Sequence, residues 1–499
     1  ATVTVRADGS SKFIRGNRWG IFPAAALAWR ISQEEFMEPT QNWLSNLKLR
    51  FSYGQAGNNR IGSGMYETLY KAYSSSKYYG AGGYLNPHYT LANSQMANPN
   101  LKWETTITRN GGLDFGFLHE RISGTLDFYW NTTKDLLVER QIVAPGYSSV
   151  QENIGQTSNR GVELSLNATI IQTKDFMLSA NFNIGINRNK VDKLAGTNEM
   201  SYNSGGFSSD TKEQDDYRVI VGEPLGLVYG FVYDGIYGVD DFVTYTDANG
   251  RTQFQFDNKG NFILKEGIPN NSYLSGSNAG VRPGAMKLKD LDKSGDIDKN
   301  DRQIIGRTAP KHTGGFGLNA TWKGLDLSVM FNWVYGNQIY NMDKIASTQS
   351  YRTTYANLRE YMGAGSAWTY LDRTSGEIVT DYETLKSMNE NKSYWSPLTI
   401  PDGNPLVTSW AIEDGSYLRL QNLTLGYTLP KEWTKKFACS QLRLYCTLNN
   451  VWTWTNYSGY DPEVNSSIRN SKTSGITPGA DYSAYPKAFS WTAGVNITF

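Results

Sequence analysis

Hydrophobic and polar residues alternate along the last segment of the chain. One face of this segment is apolar and consists of Phe489, Trp491, Ala493, Val495, Ile497 and Phe499. The intervening positions are Ser, Thr, Gly and Asn. The stretches LDLSVMFNWVYG and FMLSANFNIGINRN repeat the same period of two. This alternation is typical of β-strands with one apolar and one polar face.

Applied to the whole chain, the pattern predicts an all-β protein. It gives about twelve strands, at 2–8, 18–31, 47–57, 103–117, 121–138, 158–171, 175–191, 312–322, 325–341, 416–429, 441–455 and 487–499. Many of these strands are long enough to cross a membrane, which takes about ten tilted residues.

The connections between the predicted strands fall into two classes. Tight turns are expected near His119, Lys174 and Lys323. The long connections are 58–102, 139–157, 192–311, 342–415 and 456–486. Short turns at one end and long loops at the other indicate an outer-membrane β-barrel with extracellular loops. The competing interpretation is a large soluble all-β protein.

Composition agrees with the barrel interpretation. The 499 residues carry a net charge of +1, so nothing points to a nucleic-acid partner. The mean hydropathy is negative, and no run of about 18 apolar residues predicts a membrane-spanning helix. A barrel with a polar lumen has this composition. Aromatic residues make up 13% of the chain, and they collect near predicted strand ends, as at Trp333 and Tyr335.

The stretch DLDKSGDIDKND, residues 290–301, has the spacing of an EF-hand-type calcium loop. Gly295 stands at the sharp turn, and the flanking segments lack the helices of an EF-hand. The predicted ligands are Asp290, Asp292, Ser294, Asp296, Asp298 and Asp301. Hard oxygen donors in this number favour a structural Ca²⁺ within the long loop 192–311. A solvated acidic turn is the alternative.

No catalytic constellation emerges from the sequence. His88, His119 and His312 are widely spaced, and the first two fall at opposite ends of the predicted strands. No nucleophile elbow or phosphate-binding loop is present. We therefore expect a protein that is not an enzyme.

The chain resembles the C-terminal half of SusC-like TonB-dependent transporters, which import glycans across the outer membrane of Bacteroidetes. The resemblance runs in order along nearly the whole chain, 1–499. It is carried by VRADGSSKFIRGNRWGIFPAAALAWRIS, LKLRFSYGQAGNN, NPNLKWETTITRNGGLDFGFL, SNRGVELSLNATII, KDLDKSGDIDKNDRQIIGRTAPKHTGGFGLNATWKGLDLSVMFNWVYGNQIYN and SYLRLQNLTLGYTLP. Loops like 290–301 recur at this place in the family.

The resemblance implies a barrel of about 22 antiparallel strands that is filled by an N-terminal plug. The strands present here are the C-terminal portion, so we expect an N-terminal half that supplies the plug and the other strands. The family works with a SusD-like surface lipoprotein that forms a lid, and with TonB, which acts on the plug. The implied location is the bacterial outer membrane.

The implied function is TonB-dependent import of oligosaccharides. Oligopeptide import by the same kind of complex is a second hypothesis, and a non-transporting adhesin or structural barrel is a third. Aromatic residues of the external loops are candidates for stacking on sugar rings; they are Tyr78, Tyr79, Tyr84, Tyr89, Trp368, Tyr370 and Trp395. The alternative is that these residues pack the loops together or face the lid protein. Arg50, Arg109 and Arg443 are expected to face the lumen.

Overall fold

The fold is that of a computed structural model. It describes residues 1–73, 88–91, 93–194, 196–205, 215–272, 281–348, 357–363, 365–397, 406–464 and 475–499.

Twelve consecutive antiparallel strands form the main sheet, in chain order from one edge to the other. They are β1 Thr2–Gly9, β2 Trp19–Arg30, β3 Leu44–Asn58, β4 Glu104–Phe117, β5 Ile122–Ala144, β6 Tyr147–Gln172, β7 Phe176–Lys193, β8 His312–Trp322, β9 Leu325–Tyr335, β10 Tyr417–Thr428, β11 Gln441–Thr455 and β12 Ser490–Thr498. A short thirteenth strand, Gln95–Met96, pairs in parallel with β6. The predicted all-β fold is confirmed, and its strands lie where the alternation placed them.

The register of the sheet separates an apolar face from a polar face. Phe316 of β8 lies opposite Phe331 of β9, and their rings stack with centroids 4.7 Å apart. The neighbouring pair, Gly315 and Asn332, belongs to the other face. Because successive side chains of a strand point to opposite faces, each pair fixes the orientation of its whole strand. The apolar face is exposed, and the polar face corresponds to the lumen of a barrel.

Two expectations about the wall of the sheet are wrong. The segment 139–157 is not a long loop, because β5 and β6 continue as a hairpin that closes between Ala144 and Tyr147. Gly146 adopts a φ of 79° there, a conformation that glycine tolerates best. Arg109 does not face the lumen. It lies opposite Tyr53, on the apolar face, and its guanidinium covers the ring of Trp130.

The remaining connections fold into small sheets beyond the ends of the main strands. A four-stranded sheet contains Glu199–Tyr202, Tyr217–Ile220, Leu227–Phe231 and Arg302–Arg307. A three-stranded sheet contains Ile412–Asp414, Gln338–Asn341 and Ala480–Asp481. Two-stranded sheets are Tyr233–Ile236 with Met286–Leu288, Thr244–Thr246 with Thr252–Phe254, and Tyr70–Tyr73 with His88–Leu91. The predicted loop 192–311 therefore has regular structure of its own.

Short helices complete these connections. They are α1 Met342–Thr348, α2 Tyr382–Asn389 and α3 Lys431–Thr434, together with several single 3-10 turns. Within the described ranges, none of the helices has the length and apolar character that crossing a membrane requires.

Buried hydrophobic clusters hold the long connections together. One surrounds Tyr217 and Tyr340, a second surrounds Phe242 and Leu385, and a third surrounds Trp395. Each cluster draws residues from distant parts of the chain, so the described parts of the connections 192–311 and 342–415 pack together. The main hydrophobic cores consequently lie in the connections, while the sheet exposes its apolar face.

Candidate functional site

The acidic loop 290–301 lies between the strands Met286–Leu288 and Arg302–Arg307. Two residues in the left-handed region turn it sharply, Lys293 with φ 61° and Gly295 with φ 88°. The loop ends in a single 3-10 turn, for which Asp298 is the N-cap and accepts a hydrogen bond from the backbone N–H of Asn300 at 2.7 Å. The local fold thus follows the predicted turn.

Three of the predicted ligands converge inside this loop. Carboxylate oxygens of Asp290, Asp292 and Asp301 all lie within 4.8 Å of one another. Asp301 is fully buried, and it accepts hydrogen bonds from the backbone N–H groups of Leu291 at 2.7 Å and Asp298 at 2.8 Å. These bonds fix the cluster in place, because they compensate a carboxylate that is removed from water.

The charge of the cluster is only partly satisfied by the protein. Asp290 accepts a hydrogen bond from the Gly295 N–H at 2.8 Å through Oδ2, whereas its Oδ1 is buried without a hydrogen-bond partner in the described part of the chain. The neighbouring Ser294 side chain, and then the Ser294 N–H that donates to Asp292 at 2.9 Å, lower the pKa of the Asp292 carboxyl. Ionised carboxylates at this separation repel one another unless a cation lies between them.

The other predicted ligands make contacts within the protein. The Ser294 hydroxyl donates to the carbonyl of Asp296 at 2.9 Å, and the Asp296 carboxylate accepts from the side chain of Asn270 at 3.1 Å. Asp298 is occupied as the helix cap. The structure therefore brings together Asp290, Asp292 and Asp301, and places the other three around them.

The acidic loop is anchored to the core of the connections. Ile297 is fully buried in the cluster that contains Trp395, and its N–H donates to the carbonyl of Asn270 at 2.8 Å. Asn270 in turn donates its backbone N–H to the carbonyl of Gly295 at 2.9 Å. Any ligand that rigidifies the loop consequently also rigidifies the surrounding connections.

The three predicted substrate-contact aromatics whose side chains are described lie in hydrophobic clusters, not on an open surface. Trp395 is 0% exposed, and its indole N–H donates to the carbonyl of Thr348 at 3.2 Å. Trp368 packs against Gly284, and Tyr370 donates its hydroxyl to the carbonyl of Pro283. These three residues stabilise the loop core. Tyr78, Tyr79, Tyr84 and the side chain of Tyr89 lie outside the described residues.

A polar groove of about 690 Å³ lies on the lumen face of β3 to β7. Asparagines form a hydrogen-bonded chain in it: Tyr129 donates to Asn187 at 3.0 Å, and Asn187 and Asn189 donate to Asn159 at 3.3 and 3.1 Å. The groove also contains Glu163. Its surface offers many neutral donors and acceptors.

Ion pairs neutralise the arginines of the lumen face. Arg50, which also lines the groove, donates to Asp114 at 2.8 Å and to Asp127 at 3.1 Å. Arg443 pairs with Asp326. The expectation that Arg50 and Arg443 face the lumen is confirmed by these contacts. Sequence reasoning did not identify the groove, although the period-two Asn residues of β6 and β7 were a signal for it.

Comparison with known proteins agrees with this architecture. A family model for TonB dependent receptor-like β-barrels matches residues 1–451. TonB-dependent receptor P3 of Formosa agariphila is 32% identical over all of this chain and 44% of its own length. TonB-dependent receptor SusC of Bacteroides thetaiotaomicron is 29% identical over all of this chain and 42% of its own length. The chain thus spans less than half the length of these curated relatives.

Solved structures show the same fold. The RagAB peptide importer in its 'open-open' state matches with a TM-score of 0.70 at 25% identity, over all of this chain and 45% of that chain. Its 'closed-closed' state matches with a TM-score of 0.69. The sheet, its two faces and these similarities confirm the predicted family, the fold class and the outer-membrane location. The chain belongs to the β-barrel family of TonB-dependent receptors of the bacterial outer membrane.

Proposed function

We propose that the protein containing this chain imports oligosaccharides across the outer membrane in a TonB-dependent manner. The observation that carries the proposal is the groove on the lumen face, where Tyr129, Asn159 and Asn187 present neutral hydrogen-bonding groups. A translocation path needs such groups in order to exchange bonds with a passing polar substrate. Family membership supports transport in preference to catalysis.

The chemistry of the groove favours sugars. Amides and hydroxyls both donate and accept, as sugar hydroxyls do, and the Glu163 carboxylate adds an acceptor for neighbouring hydroxyl pairs. The charge of Arg50 is already balanced by Asp114 and Asp127, so the described residues of the groove offer no free cation to hold an anionic substrate tightly. Weak, neutral and repeated contacts suit a substrate that has to pass through the barrel.

Three partners belong to the proposal. An N-terminal part supplies the remaining strands and the plug. A SusD-like surface lipoprotein closes over the loop body as a lid, and TonB transmits energy to the plug. The sheet edges support the first of these partners. Both β1 and β12 lie at the ends of the strand order, and unpaired strand edges are unfavourable in lipid.

The acidic loop has a structural part in the proposal. Asp290, Asp292 and Asp301 would hold a Ca²⁺ ion, which would neutralise their mutual repulsion and stiffen the external connections. The buried, unpartnered Oδ1 of Asp290 supports this assignment, because a buried carboxylate oxygen needs a hydrogen bond or a cation. Through Ile297 and Asn270, the ion would hold the loop body in the shape that faces the lid and substrate.

Oligopeptide import is the second candidate function. The similarity to structures described as the RagAB peptide importer favours it. Side-chain amides pair with peptide groups as readily as with sugar hydroxyls. A third possibility, a barrel with an adhesive or structural role, predicts that no plug and no TonB contact accompany the chain.

Purification of the native complex tests the proposal. We expect the N-terminal part and a surface lipoprotein to co-purify, and the complex to bind members of an oligosaccharide panel but not of a peptide panel. Binding of peptides alone would establish the second candidate. Absence of both partners from the purified material would contradict transport.

A further inference from the structure

Arginines form a lateral row across the apolar face of the sheet. Arg160 of β6 lies directly opposite Arg188 of β7, and on its other side it lies opposite Trp130 of β5. Arg109 of β4 covers the Trp130 ring at 5.3 Å and donates to the Trp130 carbonyl at 3.4 Å. The three arginines therefore lie on neighbouring strands in one row across the outward face.

These arginines have no counter-ion within the described residues. The Arg160 side chain has no hydrogen-bond or ion-pair partner there, and Arg188 donates only to the carbonyls of Asn187 and Lys311. Directly opposed residues of antiparallel strands have Cα atoms about 5 Å apart, and like charges at such positions destabilise a sheet. Lys190, exposed and two residues along β7 from Arg188, adds a further cation to the same face, and the carboxylate of Asp192 beyond it accepts hydrogen bonds from the side chains of Ser158 and Gln156. An anion bound beside Arg160 and Arg188 would relieve this repulsion.

The row lies at the border of an exposed apolar surface. Phe51 is 52% exposed, Phe128 54% and Trp130 57%. Gly111 lies between Phe51 and Phe128 in the strand pairing, so the missing side chain leaves an apolar groove that also reaches Arg109. In an outer-membrane protein this surface faces acyl chains, and the arginines lie where the apolar surface ends.

The position of the row along the strands identifies the leaflet. At one end of the sheet, the short turns Leu118–Arg121 and Thr173–Asp175 join β4 to β5 and β6 to β7. The row of arginines lies towards the other end, where β7 continues into the long connection 192–311. Short turns are periplasmic and long loops extracellular in such barrels. The row thus faces the headgroups of the outer leaflet.

We propose that Arg109, Arg160 and Arg188 bind the phosphate groups of a phosphorylated outer-leaflet glycolipid. Its acyl chains lie along Phe51, Gly111 and Phe128. Guanidinium groups bind phosphate in a bidentate geometry, and a phosphate seated between Arg160 and Arg188 relieves their repulsion. The glycolipid acts as an anchor that fixes the depth of the barrel in the membrane.

Lipid binding to the full-length transporter tests this inference. The protein is delipidated in detergent and titrated with phosphorylated lipid A, with dephosphorylated lipid A and with phosphatidylglycerol, and bound lipid is counted by native mass spectrometry. We expect preference for phosphorylated lipid A. The variant Arg160→Gln/Arg188→Gln should weaken its binding about fivefold for each arginine, while Arg160→Lys/Arg188→Lys should retain most of it.

A matched control removes two cations from the opposite end of the sheet. Lys174→Gln/Lys323→Gln alters the short turns and should leave lipid A binding unchanged. Retention of the barrel fold is checked in each variant by its migration in unheated gels. Equal binding of phosphorylated and dephosphorylated lipid A would overturn the proposal, as would equal binding of phosphatidylglycerol, or an equal loss in the control variant.

Discussion

The guanidinium of Arg419, on β10, is buried against the carboxylate of Asp461, and its side chain is 1% exposed. Arg419 also donates to the Thr453 hydroxyl of β11 at 2.9 Å and to Glu463 at 3.2 Å. Asp461 in turn accepts the backbone N–H of Lys487 at 3.1 Å. This one arginine therefore ties the connection between β11 and β12 to the wall of the sheet.

Loss of the Arg419 side chain should release that connection. Because Arg419→Ala leaves the buried Asp461 without its partner, we expect a destabilisation of about 3–5 kcal/mol. Hydrogen exchange of the described residues 456–464 and 475–489 measures it. The exposed pair between Lys487 and Glu463 offers a matched control, and Lys487→Ala should cost less than about 1 kcal/mol. Equal destabilisation by the two variants would show that the buried ion pair of Arg419 and Asp461 contributes no more than the exposed pair.

Removal of calcium should loosen the external connections. We expect a chelator to accelerate proteolysis within 192–311, since Ca²⁺ at 100 times its Kd stabilises the folded loop by about 2.7 kcal/mol. In Asp290→Ala/Asp292→Ala the chelator should have no further effect. Asp257 accepts two backbone N–H groups in a similar turn without an acidic cluster, so Asp257→Ala should keep the response to chelator. If chelator left the rate of proteolysis of the unaltered protein unchanged, a bound ion would be excluded.

Acid should weaken the contact between the helix α2 and Asp240. The hydroxyl of Tyr382 and then the ammonium of Lys386 lower the pKa of Asp240. A carboxyl whose folded pKa is depressed stabilises the fold above its unfolded pKa of about 3.9, and this contribution is lost as pH falls through the folded pKa.

Hydrogen exchange of α2, compared with Asp240→Asn at each pH, follows this loss. The two proteins should differ near neutral pH, begin to converge as the pH falls below about 4, and behave alike once the pH is below the folded pKa of Asp240. Glu383→Gln, in the first turn of the same helix, serves as the control and should behave as the unaltered protein. A difference between the unaltered protein and Asp240→Asn that persists at pH 2 would refute the assignment.

Alternation alone predicted the twelve strands, because a lipid-facing sheet has to present apolar side chains at every second position. The prediction failed where strands leave the bilayer. Beyond Lys134 the outward positions of β5 no longer need to be apolar, so the hairpin at 144–147 resembled a loop. Arg109 was misplaced for the same reason, since an arginine is tolerated on the outward face where the apolar surface ends.

The external connections show a second limit on what the sequence predicts. Trp368 and Trp395 were candidates for contact with substrate because aromatic rings of external loops can stack on sugar rings. The connections are long enough to build a core of their own, and the partners of Trp395, Tyr233 and Trp410, come from segments far apart in the chain. The convergence of Asp290, Asp292 and Asp301 was predictable because it depends on twelve consecutive residues.

The groove on the lumen face should contribute directly to substrate affinity. Replacing Asn159 and Asn187 by Ala removes donors and acceptors, and we expect about fivefold weaker oligosaccharide binding for each, at about 1 kcal/mol per hydrogen bond. Calorimetric titration of the full-length transporter measures this. Asn319→Ala, on the lumen face of β8 near the short turns, should bind normally. A comparable loss of affinity in Asn319→Ala and in the groove variants would show that the groove has no special role in binding.

Uptake by intact cells tests the central claim most directly. Cells that produce the full-length transporter are supplied with labelled oligosaccharides and labelled peptides, with and without TonB. We predict accumulation of at least one oligosaccharide that disappears when TonB is deleted or when the transporter lacks this chain, and no accumulation of peptides. Oligosaccharide uptake that is indifferent to TonB, or TonB-dependent uptake of peptides alone, would contradict the account.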